Sequence, residues 1–463
     1  MRPLLLATLL LLTSLDASAR QAAPTAAHAS GVPGVNAAQL DVSYWVRRAD
    51  QRSKVILDAA AIATHNRRLH QLDPTFHDLE GLPAMLDGAS AGSWVARLSQ
   101  APIQPRWDAH GAEVTKASLA AILENADLEA IPASQPTRFG LVVSRADLRT
   151  FPTRLRVFSS PGDTDIDRFQ ENALFPGTPV LIVHESRDRQ WWFVVSPLYA
   201  AWIEKVHVAE GSKKDVFGYT RRTPALVVSG ATLRTVYTPE QPAVSQLQLD
   251  MGVRAPLLVD WPADTPVNGQ NAYAGTVIEL PIRLEDGSLK LVPALLPHGA
   301  DVSRDYLALT AENIVGQGFK FLGERYGWGG GYNGRDCSGF VSDVYNSFGV
   351  QLPRNSRDQG TSPALNRIAF TAASDRRERL AAIRKLRVGD LIYIPGHVMM
   401  VLGFDHGEPY VIHDTTGMSY RDSSGGIKRV LLNGVSITPL MPMLFNENET
   451  YIDRMYSIQR IRP

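Results

Sequence analysis

The spacing of hydrophobic residues changes along the chain and predicts regions of different secondary structure. Between Asp41 and about Leu128, apolar positions follow a helical period. Within Ser53–Leu69, one helix face carries Val55, Ile56, Ala59, Ile62 and Ala63. A second short helix is predicted over Ala117–Leu123. We therefore expect a mainly helical N-terminal segment over residues 20–130, which includes a small, polar leader up to about residue 38.

From about Phe139 the period changes to two, as in half-buried β-strands. Short strands are predicted at Val142–Thr150, Arg154–Phe158, Pro179–Ser186, Gln190–Ser196 and Ala201–Val208. A similar stretch runs from about Tyr219 to Pro297, and its opening S-G-A-T-L-R-T (229–235) resembles S-R-A-D-L-R-T (144–150). The repeat predicts two small barrels, at residues 131–212 and 213–300, with one larger β domain as the alternative.

From about Asp301 the pattern becomes mixed. A helix is predicted over Leu309–Tyr326, and a second one begins near Cys337. Strands are predicted near Leu391–Ile394, His397–Phe404, Tyr410–His413 and Gly426–Leu432. Helices followed by an antiparallel sheet predict an α+β domain over residues 301–463. The fold class is therefore a multidomain chain that ends in an α+β domain.

The first twenty residues have the pattern of a secretory signal. Arg2 precedes an apolar run, Leu4–Leu12, and the small residues A-S-A follow at 17–19. The run is too short to span a bilayer, and a disordered tail is the alternative. We expect cleavage after Ala19, export to the periplasm or the extracellular space, and no membrane insertion.

Net charge and chain length limit the possible binding partners and the number of domains. The 463 residues contain 47 Lys and Arg and 47 Asp and Glu, so the balance gives no basis for binding nucleic acid or anionic lipid. The neutral charge fits a monomer, and the length suggests about three or four domains. His65, His70 and His77 do not predict a metal site, because the first two are five residues apart and so do not share a helix face. No metal or organic cofactor is expected.

Cys337 is the single cysteine of the chain. It follows the glycine-rich run Y-G-W-G-G-G-Y-N-G-R (326–335), and the residues after it have helical spacing. A thiol at a helix N-terminus is favoured as thiolate by the helix dipole. A lone cysteine in an exported protein indicates intermolecular pairing or a reactive thiol, and a buried packing residue is the alternative. We interpret Cys337 as a nucleophile.

A thiolate nucleophile needs a base, and the base needs a group that orients it. His397 opens a predicted buried strand and His413 closes another. If these strands are antiparallel neighbours, both imidazoles lie at one end of the sheet. His397 is then the base and His413 its orienting partner, with buried structural histidines as the alternative. A thiol on a helix end that faces histidines on strands is the layout of papain-like hydrolases. Asp414 would point to the opposite face from His413, and His406 is expected to be a solvated turn residue.

Four motifs identify the chain as similar to a known family: Y-G-W-G-G at 326–330, D-C-S-G-F at 336–340, G-H-V at 396–398 and V-I-H at 411–413. They resemble the NlpC/P60 cell-wall peptidases. S-Y-W at 43–45, G-T-P-V at 177–180 and Q-W-W-F-V at 190–194 resemble the multidomain branch. That branch has an N-terminal stabilising segment and two bacterial SH3-like barrels before the peptidase.

The resemblance implies hydrolysis of the γ-D-glutamyl–meso-diaminopimelate bond of peptidoglycan stem peptides, through a Cys–His–His triad and a thioester. It also implies a preference for a free N-terminal L-alanine. Asp336 would bind that ammonium, Tyr326 and Ser338 would complete the pocket, and Tyr199 is the candidate tyrosine from the first barrel. Asp336 as a helix N-cap and Tyr199 as barrel core are the alternatives. Arg354 and Ser356, in the loop after the cysteine helix, are further candidates for substrate contact.

Other functions remain open on the sequence alone. An autolysin that cuts intact wall would use the barrels as anchors. A non-catalytic wall-binding protein would carry a relic site, which the presence of Cys337, His397 and His413 argues against. A thiol acyltransferase is a further alternative.

Overall fold

The computed structural model describes residues 31–462, so the predicted signal peptide and the first part of the leader lie outside the described residues. The N-terminal segment contains helices α1 (Val42–Arg48), α2 (Ala59–Leu72), α3 (Gly88–Leu98) and α4 (Lys116–Asn125) and strand β1 (Met85–Asp87). Each helix has an Asp or Thr N-cap, at Asp41, Asp58, Asp87 and Thr115. The cap at Asp58 explains why α2 begins six residues later than the predicted start at Ser53.

The N-terminal segment packs on the C-terminal domain. Trp45 is fully buried, with its ring 5.1 Å from that of Tyr410. Asn66 on α2 donates to the carbonyl of Gly349 and accepts from the N–H of Gln351. Within the described chain, no helix is long and apolar enough to cross a membrane.

The first β module contains eight strands, β2 to β9: Ser134–Pro136, Arg138–Val142, Ala146–Arg149, Gln170–Leu174, Pro179–Glu185, Trp191–Val195, Ala200–Glu204 and Val208–Gly211. Strands β3 to β9 form one sheet in the order β5-β4-β8-β7-β6-β3-β9. Residues 191–195 are buried on both faces of this sheet, in two different apolar clusters. The predicted strand at 154–158 is wrong: only an isolated bridge from Phe158 to Trp107 occurs there. Instead, the N–H of Val157 donates to the Asp167 side chain.

Helix α5 (Lys213–Arg221) follows, and its Val216, Phe217 and Tyr219 are buried in the core of the first module. The second β module then contains strands β10 to β16: Ala225–Val228, Thr232–Arg234, Gln248–Asp250, Arg254–Pro256, Gly275–Arg283, Leu289–Pro297 and Val302–Ser303. They form three small sheets around a separate apolar cluster. The separate cores favour two β units over one larger domain.

The C-terminal domain contains five helices and six strands. The helices α6 to α10 span Ala311–Phe319, Cys337–Asn346, Ser356–Thr361, Arg376–Ile383 and Tyr451–Arg454. The strands β17 to β22 span Asn366–Ala369, Leu391–Ile394, His397–Asp405, Glu408–Arg421, Ile427–Pro439 and Ser457–Arg460. They form an antiparallel sheet in the order β17-β22-β18-β19-β20-β21.

The predicted α+β arrangement and its four strands are therefore confirmed. Helix α6 ends at Phe319, earlier than predicted, because the chain turns at Gly323 with a φ of +85°. Residues after this turn then bond to β21: the N–H of Tyr326 donates to the carbonyl of Asn433.

Candidate active site

Cys337 is the first residue of α7, as predicted. The side chain of Asp336 caps the helix by accepting from the N–H of Gly339 at 2.7 Å. The backbone N–H of Val398, the residue after His397, lies near the sulfur and lowers the pKa of Cys337. This contact places the thiol against the start of β19.

The glycine-rich loop before the cysteine lies directly on strand β5 of the first module. Gly329 and Gly330 have φ values of +57° and +75°, which favour glycine. A Cβ at Gly329 would lie 2.9 Å from the backbone of Glu171, and one at Gly330 would lie 2.8 Å from the Cβ of Ala173. The loop needs glycine at both positions because a neighbouring domain occupies the space.

Polar contacts fix this loop to the first module. Arg145 donates to the carbonyls of Gly330 and Gly334, at 2.5 and 3.2 Å. Gln170 donates to the carbonyl of Gly329 at 3.0 Å, and the indole N–H of Trp328 donates to the carbonyl of Gln170 at 3.1 Å. The first module therefore holds the segment that precedes Cys337.

The two predicted histidines lie together at one end of the sheet. Strands β19 and β20 are antiparallel neighbours, with Met400 opposite Ile412. The Nε2 of His397 is 2.7 Å from the Nδ1 of His413. This contact leaves the Nδ1 of His397 as the ring nitrogen available to a thiol proton.

Thr438, which the sequence analysis missed, lies beside His413 and bears on the direction of these hydrogen bonds. Its hydroxyl lies 3.3 Å from the Sδ of Met443 and 3.0 Å from the Nε2 of His413. When the hydroxyl proton is directed to Met443, the oxygen accepts from the Nε2 of His413, and the Nδ1 of His413 accepts from His397. His397 is then the tautomer with a free lone pair at Nδ1, as a general base requires.

Burial and nearby carboxylates shift the pKa values of Cys337, His397 and His413. Burial and the Asp336 and Asp414 carboxyl groups raise the pKa of Cys337 to about 12, against the Val398 N–H and Arg354. Burial lowers the pKa of His397 to about 4, and burial together with His397 also lowers the pKa of His413. These shifts act against the predicted thiolate, because desolvation and negative charge oppose the effect of the helix N-terminus.

Asp336 and Ser338 lie together, as predicted, and Arg354 joins them. Arg354 donates to Asp336 at 2.8 and 3.2 Å, to the Ser338 hydroxyl at 2.9 Å, and to Asn172 of the first module. Asp336 also accepts from Ser338 and from the N–H groups of Gly329 and Gly339. Its charge is therefore matched by Arg354, and it serves as the N-cap of α7.

Tyr199 of the first module lies in this region and is hydrogen-bonded to the carboxylate of Glu171. Its hydroxyl donates to Glu171 at 2.5 Å, and Thr150 donates to the other oxygen at 2.6 Å. Burial and Glu171 raise the pKa of Tyr199, and the charges of Arg354 and Asp336 also act on it. Glu171 holds only neutral hydroxyls, so its charge is available to a cation. No sequence signal distinguished Glu171 from other acidic strand residues.

The pocket around the sulfur is nearly closed to solvent. Cys337 is 6% exposed, Tyr326 8% and Ser338 4%. A cavity of about 750 Å³ lies nearby, at the junction of the N-terminal segment, both β modules and the outer face of α7. It shares Asp336 and Arg354 with the cysteine pocket, but among the described residues that line it Cys337 does not appear.

The remaining candidates are distributed as follows. Ser356 begins α8, and His406 lies in the β19–β20 turn with its side chain 90% exposed, as predicted. His65 and His70 contact Gln351. In the described residues, no group of three His, Cys, Asp or Glu side chains is arranged to hold a metal ion.

Comparison with known proteins agrees with this geometry. Residues 323–433 match the model of the NlpC/P60 family. The chain carries an NlpC/P60 domain. Residues 156–204 match the SH3 domain model of the SH3b1 type, within the first β module. The assignment of the second module as an SH3-like barrel stays a prediction.

A solved NlpC/P60 endopeptidase from Photobacterium damselae subsp. piscicida shares the fold over 90% of this chain and 96% of its own, with a TM-score of 0.71 and 16% identity. A gamma-D-glutamyl-L-lysine dipeptidyl-peptidase from Bacillus subtilis (strain 168) is 46% identical over 52 residues. That match spans 11% of this chain and 17% of the relative. The NlpC/P60 family is one of cell-wall peptidases, a class of hydrolases, and this chain has its fold.

Proposed function

We propose that this NlpC/P60 protein is an exported cysteine peptidase that hydrolyses the γ-D-glutamyl–meso-diaminopimelate bond of peptidoglycan stem peptides. The observation that carries the proposal is the hydrogen-bonded series His397–His413–Thr438, together with the effect on the sulfur of the N–H of Val398, the residue after His397. In this proposal Cys337 is the nucleophile, His397 the base and His413 the residue that orients it. The short match to a gamma-D-glutamyl-L-lysine dipeptidyl-peptidase supports the γ-D-glutamyl specificity.

The reaction proceeds through a thioester. The thiol proton passes to the Nδ1 of His397 as sulfur attacks the γ-carbonyl carbon, and the backbone N–H of Cys337 stabilises the oxyanion. His397 then protonates the leaving amine of diaminopimelate, and the C–N bond breaks. Water, deprotonated by His397, attacks the thioester, which releases L-Ala-γ-D-Glu and restores the thiol. The raised pKa of the thiol and the lowered pKa of the imidazole favour a first proton transfer that occurs with the attack rather than before it.

The part of the pocket that would hold the L-Ala-γ-D-Glu half of the substrate favours a free amine. Asp336 and Glu171 carry two negative charges and Arg354 one positive charge, so the pocket has a net negative charge that attracts a substrate ammonium. A primary amine of alanine is absent when the stem is joined to muramic acid. The proposed substrate is therefore a released muropeptide, with Asp336, Tyr326, Ser338 and Tyr199 around its first residue.

The test is mass spectrometry of products from defined peptides. L-Ala-γ-D-Glu-diaminopimelate should be cleaved to L-Ala-γ-D-Glu by the wild type and left intact by Cys337→Ala. The same peptide on muramic acid should be cleaved at least about tenfold more slowly. Rapid cleavage of intact sacculi with no preference for the free amine would instead support the autolysin. No cleavage of any of them would contradict the proposal.

A further inference from the structure

Asp414 is a buried carboxyl group with no hydrogen-bond partner. Its side chain is 0% exposed, and neither oxygen has a partner within the described part of the chain. The N–H of Thr415 approaches the carboxyl but outside hydrogen-bond geometry. A buried unpaired carboxyl is costly in a folded protein, so its presence calls for an explanation.

The strand positions direct Asp414 toward the cysteine. Ile412, two residues earlier on β20, and Val435, its cross-strand partner on β21, both belong to the apolar cluster that contains Cys337. His413 points to the other face, where its partner Thr438 contacts Met443. Asp414 therefore faces α7 and the loop before it.

The groups around Asp414 include Cys337 and Tyr326. In its ionised form, Asp414 raises the pKa of both Cys337 and Tyr326. Burial raises the pKa of Asp414 to about 9, with Asp336 and Glu324 acting in the same direction and Arg335 against them. Asp414 is therefore protonated at neutral pH, and a cation beside it would favour its ionised form.

The other two carboxylates of the pocket already accept hydrogen bonds, although those to Glu171 come only from neutral hydroxyls. Asp336 accepts from Arg354, a hydroxyl and two backbone N–H groups, and Glu171 accepts from two hydroxyls. A primary ammonium has three N–H donors. Asp414 is the carboxyl with both oxygens free to receive one.

We propose that Asp414 binds the free ammonium of the stem peptide from the sheet side of the cysteine pocket, as a specificity-determining residue. This inference rests on the proposed function and adds to it a carboxyl that the sequence analysis set aside. When the peptide binds, Asp414 loses its proton to solvent, the ammonium keeps its three, and an ion pair forms. The negative charge near the sulfur is then matched by the substrate itself.

The experiment uses full-length Cys337→Ala protein, which binds L-Ala-γ-D-Glu-diaminopimelate without cleaving it. Affinity is measured by calorimetry at pH 6.5, where the alanine amine is already protonated, in two buffers that differ in ionisation enthalpy. The second ligand is the analogue with propionyl in place of alanyl, which lacks the amine. The second variant is Cys337→Ala with Asp414→Asn, and the control is Cys337→Ala with Glu408→Gln, a carboxyl at the far end of β20.

We expect the Asp414→Asn variant to bind the amine peptide roughly 30-fold more weakly and the propionyl analogue with unchanged affinity. Release of about one proton per peptide is expected for Cys337→Ala and for the Glu408 control, and none for Asp414→Asn. Equal weakening of both ligands, which a structural role or a bridging water predicts, would overturn the inference. Binding by Cys337→Ala without proton release would do the same, even if Asp414→Asn does not fold. Failure of the wild type to cleave a peptide that Cys337→Ala binds would instead contradict the proposed function.

Discussion

The two β modules begin with similar sequences but contribute differently to the active site. In the first, Arg149 is buried, donates to Asp167 at 2.5 Å, and follows the fully buried Leu148. In the second, the corresponding Arg234 is exposed and donates to the carbonyl of Gln246. The same short strand therefore has a buried polar core in one module and a solvated surface in the other.

The largest difference is at the second position of the repeat. Arg145 reaches the carbonyls of the cysteine loop, whereas Gly230 packs beside Asp301. The second module contacts the end of the cysteine loop, where its Asp250 accepts from Arg335 at 3.1 Å. The first module therefore forms part of the pocket wall, whereas the second module supports the segment that precedes Cys337.

Gly330→Ala tests the contact between the loop and the first module most severely. An added Cβ would meet Ala173 and would strain the positive φ, so the loop must move. A shift of about 1 Å at the nucleophile predicts a loss of about 100-fold in kcat/KM. The matched control is Gly162→Ala, which has the same sign of φ and open space around it. Equal loss of activity in both variants would contradict the role of this contact.

Arg149→Ala and Arg234→Ala test whether these two corresponding residues of the repeat contribute differently to the free energy of unfolding. Removal of one partner of a buried ion pair leaves Asp167 uncompensated, so Arg149→Ala should lower the free energy of unfolding by roughly 3–5 kcal/mol. Arg234→Ala should change it by about 0.5 kcal/mol or less. Chemical denaturation monitored by tryptophan fluorescence measures both. Similar losses would show that the two strands are equivalent.

Arg145→Ala should expose the thiol that the first module helps to enclose. In the wild type only the thiolate reacts, so alkylation of Cys337 should rise with pH and not level off below its pKa of about 12. Arg145→Ala frees the carbonyls of Gly330 and Gly334 and admits water, which lowers that pKa and moves the alkylation profile to lower pH. The rate of iodoacetamide labelling across pH measures this, and an unchanged profile would show that Arg145 does not enclose the site.

Thr438→Val tests how much kcat depends on a residue that lies outside both β modules. The variant keeps the shape of the side chain but removes the hydroxyl that selects the His413 tautomer. We expect kcat to fall by about threefold to tenfold with little change in KM. A larger effect on KM than on kcat would place Thr438 in substrate binding instead.

The sequence predicted the parts of the site that local pattern controls. Cys337 follows glycines and opens a helical period, and His397 and His413 sit at the ends of two apolar strands. Arg145, Glu171 and Thr438 were missed because tertiary packing, and not spacing along the chain, brings them to the pocket. The orientation of Asp414 away from His413 was predicted, but the presence of the thiol on that face depends on how α7 crosses the sheet.

The bounds of the helices and strands also depend on contacts that the hydrophobic pattern does not show. Helix α2 begins where Asp58 caps it, and α6 ends where Gly323 turns the chain, so the hydrophobic period alone overextended both. The segment 154–158 has the composition of a strand, but its backbone bonds to the Asp167 side chain and to Trp107. Side-chain caps and long-range partners decided these boundaries.

The acyl-enzyme tests the central claim most directly. Wild-type protein mixed with L-Ala-γ-D-Glu-diaminopimelate and quenched in acid within the first turnover should gain the mass of L-Ala-γ-D-Glu less one water, on the tryptic peptide that contains Cys337. Cys337→Ala should show neither the adduct nor the product. Continued hydrolysis by Cys337→Ala, or an adduct on any other residue, would contradict the account.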